Sequence, residues 1–153
     1  MKMIIVIAFL AITSLNAEAL SKNGLDGFLQ KTDASLLYSA QTVRIANENY
    51  KEMMQNAPAD MPKVSCSVVK DVMSQISTQL RAITVEFNER SSLMQKDFQV
   101  RIKNRLHKLA QETTEALEKC SDPEVITGKL SSLREELMSA SMDVQSYKFT
   151  EDI

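Results

Sequence analysis

CSVVKDVMSQISTQLRAITVEFNERSSLMQKDFQVRIKNRLHKLAQETTEALEKC, residues 66–120, is the stretch that decides how this chain folds. It begins and ends on the only two cysteines, Cys66 and Cys120, and contains neither proline nor glycine. Val69, Met73, Ile76, Leu80, Ile83 and Phe87 recur in alternating steps of four and three, the rhythm of one buried helix stripe. After Arg90 the rhythm changes: Met94, Phe98, Ile102 and Leu106 are spaced by four, and Leu109, Thr113 and Leu117 follow. Such a shift marks a stutter in one long helix or a turn between two.

The cysteines bear on that choice. A straight helix would hold the Cα atoms of residues 66 and 120 roughly 80 Å apart at 1.5 Å per residue. A disulfide needs them within about 7 Å. Residue 93 is the midpoint, beside Ser91 and Ser92, either of which could cap a returning helix. The expectation is therefore a hairpin of helices 65–90 and 92–119, stapled by Cys66–Cys120. Two features oppose it. No glycine or proline marks the turn. The returning helix also begins basic and ends acidic, against the macrodipole preference.

Outward from this hairpin, Leu29, Thr32, Leu36, Ala40, Val43, Asn47, Tyr50 and Met54 trace an imperfect stripe over a helix at 25–56, with Thr32 and Asn47 as its polar members. Pro58 and Pro62 end that helix in a loop. On the other side, Ser121 and Glu124 have capping-box spacing, with Pro123 at an early helical position. Ile126, Leu130, Leu133, Leu137, Ala140, Val144 and Tyr147 then define a seam over 123–147, beyond which the tail is expected to fray. Four helices of similar length with short connections read as an all-α, up-down-up-down bundle with one disulfide. The alternative is an elongated helical hairpin or coiled coil with one long central helix, its cysteines free or bridging chains.

The N-terminus reads as a secretory signal over residues 1–19. Lys2 is the positive flank, Ile4 to Ile12 is wholly apolar, and Ala17 and Ala19 supply the small residues of a cleavage site. The run is too short for a spanning helix of about 20 residues, and no second one follows. A soluble single helical domain over 20–153 is expected, secreted or, in a bacterium, periplasmic. Export fits a paired cysteine count. No N-glycosylation triplet occurs.

Little in the chain points to catalysis. His107 is the sole histidine, flanked by Asn104 and Lys108, and reads as a surface residue. Neither a zinc nor a di-iron ligand pattern is present, so no metal or cofactor is expected. No glycine-rich phosphate loop or dinucleotide fingerprint occurs. Glu112, Glu115 and Glu118, like Glu135 and Glu136, read as solvated helix faces rather than paired catalytic acids, and there is no tryptophan to stack on a sugar.

The sharpest charge feature is basic: Arg101, Lys103, Arg105 and Lys108. Three of these, Arg101, Arg105 and Lys108, share one helix flank. They suit an anionic partner surface; the plainer reading is pairing with acidic neighbours. Missing stacking aromatics argue against nucleic acid. Met138 and Met142 border the last seam and read as gap-fillers of the core before adaptable contact residues. Together these features predict a secreted, non-enzymatic protein that binds an extracellular macromolecule. The alternative is a carrier of lipid or another amphipathic ligand through bundle opening.

Overall fold

A computed structural model describes residues 22–57, 66–120 and 122–151. Residues 1–19, read above as a signal, the Pro58–Pro62 loop and Ser121 lie outside the described residues. Four α-helices follow in order: α1 (Lys22–Asn56), α2 (Ser67–Arg90), α3 (Lys96–Glu118) and α4 (Pro123–Glu151), with a single 3-10 turn at Ser91–Leu93.

The chain doubles back where the cysteines require. Cys66 and Cys120 form a disulfide with their Cα atoms 5.9 Å apart, within the ordinary range. The turn at its midpoint works without glycine, and neither serine caps the returning helix. Ser91 Oγ donates to Asn88 O at 3.0 Å, closing off α2. Met94 and Gln95 then become extended, at φ −110°, ψ 153° and φ −59°, ψ 139°. Gln99 Nε2 donates to Met94 O at 2.6 Å and holds this reversal. Hence α3 begins at Lys96, four residues later than the serine caps would place it. No residue in the described chain needs a positive φ, which is why the turn carries no glycine.

Each helix packs on its sequence neighbours, and α4 closes back on α1. Cross-helix pairs fix the directions. Ser39 reaches Gln79 while Lys31 reaches Glu86, so α1 and α2 are antiparallel. Asn47 reaches Ser131 while Ser141 reaches Asp33, so α1 and α4 are antiparallel too. The architecture is the up-down-up-down bundle, and the long-rod alternative is excluded.

Helix α4 is the spine of the core. Ile126, Leu130, Leu133 and Leu137 have no exposed surface, and Ala140, Val144 and Tyr147 continue the same face. Its start is capped by Asp122, whose Oδ1 accepts from the backbone N–H of Glu124 at 3.2 Å and of Val125 at 3.4 Å. Pro123 then sits at the position where a missing N–H costs nothing. The helix continues to Glu151, past the expected boundary at residue 147. Met73, Ile76 and Leu80 from α2 and Phe98, Ile102 and Leu109 from α3 complete the interior, with Phe98 stacked on Tyr147 at a centroid distance of 4.1 Å.

Polar residues on the α1 stripe are buried as the spacing placed them. Asn47 donates to Ser131 Oγ at 3.2 Å. Met138 and Met142 are not gap-fillers. They are 42% and 59% exposed, because they lie on the outer flank of α4 beyond the leucine seam.

Candidate functional site

The seam between α1 and α2 is built differently from the rest of the core. Four residues of α1 at helical spacing face this seam: Phe28, Thr32, Ser35 and Ser39. Three of the four are small and hydroxylated. Opposite them α2 presents Gln79, Ala82, Ile83 and Glu86. The short side chains of α1, with Ala82 opposite them, leave open the space that leucines fill elsewhere. The result is a slot of about 190 Å³, partly open to solvent.

Its chemistry is graded. The inner wall is formed by buried Phe28, Thr32 and Ile83. One end is closed by Ser39 Oγ donating to Gln79 Oε1 at 2.6 Å. At the rim Lys31 Nζ and Glu86 Oε1 form an exposed ion pair at 3.3 Å. Such a surface pair is worth at most about 1 kcal/mol, so it is a weak barrier to entry.

Arg90 lies one turn beyond Glu86. Its side chain is only 7% exposed, and its Nη1 is 3.8 Å from Glu86 Oε2. Its guanidinium carbon stands 5.1 Å from the centroid of the Phe28 ring. Cation–π attraction and the negative end of α2 favour the charge here. Yet Arg90 Nε has no hydrogen-bond partner among the described residues. Sequence reasoning missed this residue although its signal was present. Arg90 is the next step of the four-three series that runs from Val69 to Phe87, so it occupies a core position.

The basic cluster on α3 resolves into two parts. Arg105 Nη1 contacts Glu136 Oε2 at 3.0 Å and its Nε contacts Asp143 Oδ2 at 3.1 Å. Lys108 Nζ contacts Glu136 Oε1 at 2.6 Å. These two cations belong to a network that clamps α3 to α4. Arg101 and Lys103 are exposed and form no ion pair among the described residues. They project from opposite sides of α3, since residues two apart do not share a face. His107 is exposed. Nearer the disulfide end, Lys129 pairs with Glu115 and lowers its pKa by hydrogen bonding. Glu115 and Glu136 are thus tied into ion pairs, while Glu118 and Glu135 are exposed.

The Lys108 hydrogen bond, with Arg105 adding, holds the Glu136 carboxyl below its usual value of 4.5. A carboxylate with a depressed folded-state pKa stabilises fully above its unfolded value. That contribution is lost as pH falls through the folded value. Glu136→Gln is therefore expected to destabilise by about 1 kcal/mol near neutral pH. The gap from wild type should be smaller at about pH 3, below the usual carboxylate value. Urea midpoints at both pH values check this, and an undiminished gap in acid would refute it.

Among the described residues, no group of three histidine, cysteine or acidic side chains could hold a metal ion. Nor is any described helix long and apolar enough to cross a membrane. No protein-family model matches the chain, and neither a curated protein nor a solved structure shows significant similarity to it.

Proposed function

We propose that this protein is an exported, non-catalytic binding protein that holds a small apolar or amphipathic molecule in the slot between α1 and α2. The slot itself carries this reading. It has a buried apolar wall, a size above the roughly 150 Å³ that suffices to hold benzene, and a rim closed only by an exposed ion pair. The covalent staple supports it. The disulfide ties α2 to α3, and α1 packs more extensively on α4 than on α2. The α1–α2 seam is thus the one that can open at least cost. A disulfide also suits an oxidising compartment, in keeping with the signal-like N-terminus.

Titration with 1-octanol, followed by amide chemical shifts, tests the slot. Saturable shifts centred on Thr32, Ser35, Ala82 and Ile83 are expected, and Ala82→Trp should abolish them by occupying the space. Shifts scattered over the whole surface would end the reading.

One observation favours a second reading, binding of an extracellular macromolecule. Leu37, Tyr38 and Ile45 on α1, with Met138 and Met142 on α4, are each at least 42% exposed. Capture of a defined partner from extracellular fluid, lost in a Leu37→Glu, Met138→Glu double variant, would support it. Equal capture by the double variant would exclude this face.

A further inference from the structure

We propose that the ligand of the α1–α2 slot is a monoanionic amphiphile whose head group is met by Arg90; this rests on the slot being a ligand site. Three observations converge on that class. The first is charge. The slot's own lining holds one cation, Lys31, and one anion, Glu86, and Arg90 stands next to that lining, against Phe28 and Glu86. With Arg90 the surplus is a single positive charge.

The second is the state of Arg90. A guanidinium presents five N–H donors in a fixed fork. Here it is nearly buried, Glu86 Oε2 is 3.8 Å from its Nη1, and its Nε has no partner among the described residues. A distance of 3.8 Å is too long for a hydrogen bond. An arginine in this state is short of an acceptor, and a carboxylate is the acceptor that matches the fork. The third is position. Arg90 stands over the Phe28 ring and beside Glu86, and both residues line the slot. An acid whose apolar part lies along Phe28 and Ile83 brings its head to this end. The volume suits one ring or a chain of roughly six to eight carbons, judged against the benzene-sized cavity.

Seating the head requires Glu86 to keep its bond to Lys31 rather than turn to Arg90. The geometry already favours this: Glu86 lies at 3.3 Å from Lys31 and 3.8 Å from Arg90. The ligand therefore adds an acceptor to Arg90 without displacing a hydrogen bond.

The test compares octanoate with 1-octanol, which share a chain length and differ in charge, on the full mature protein by calorimetry. Octanoate is expected to bind at least about tenfold more tightly, as a charge-assisted pair with a buried arginine implies. Arg90→Met keeps the bulk and removes the charge. It should bring octanoate down to the octanol level, so that the two ligands no longer differ in affinity. A purely structural role for Arg90 would shift both ligands together. If both ligands bind wild type equally, the Arg90 inference is overturned and the slot stands. If neither binds, the slot reading itself has failed. Should Arg90→Met not fold, the wild-type comparison between the two ligands still decides the question.

Discussion

Replacing Cys66 and Cys120 together by alanine is expected to lower the melting temperature by about 10 °C. The bridge closes a loop with a sequence separation of 54. On the chain-entropy account such a closure contributes roughly 4 kcal/mol by restricting the unfolded ensemble. The native hairpin does not need the bond to define its path, because the Ser91–Leu93 turn and the α2–α3 core contacts already reverse the chain. The double variant should therefore keep the helical circular dichroism of wild type and lose stability. Reduced wild-type protein should melt within a few degrees of the variant, since both lack the same constraint. A fall of less than about 2 °C would show that the unfolded chain is not appreciably restricted by the bond. Loss of helical signal at low temperature would show instead that the hairpin depends on it.

Leu133→Ala should produce the second large loss, about 3 kcal/mol, within the range for fully buried leucines. Leu133 has no exposed surface and lies mid-way along the spine helix. Its removal forfeits both transfer energy and contacts with a core that relaxes only partly. Met142→Ala on the same helix is the matched control. That side chain is 59% exposed, so a change within about 0.5 kcal/mol is expected. Chemical denaturation of the two variants checks both. Similar losses for the two would mean that the outer face of α4 is covered in solution, which bears directly on the macromolecular-partner reading.

Little of the candidate site was legible in the sequence. Thr32 was visible as a polar break in the α1 stripe, but a single break does not make a cavity. Ser35 and Ser39 follow it on the flank toward α2, and only packing shows that Gln79 and Ala82 face them rather than bulkier residues. Likewise, the basic run on α3 shows that cations are present and not what answers them. Glu136 and Asp143 lie far along the chain from Arg105, and no local spacing links the two.

By itself the sequence determined the helical segments and their buried faces and, given an intrachain bridge between Cys66 and Cys120, the reversal between them. Each of these follows from local periodicity, or from a covalent length that no straight helix can span. The tertiary structure alone decided which helices became neighbours, which surface charges were neutralised, and where the core stayed unfilled. It decided these because space and charge at a seam depend on the side chains two helices bring to the same level. Which residues meet there is fixed by interhelix register, and that is set by the packing of the whole bundle rather than by either helix's own sequence.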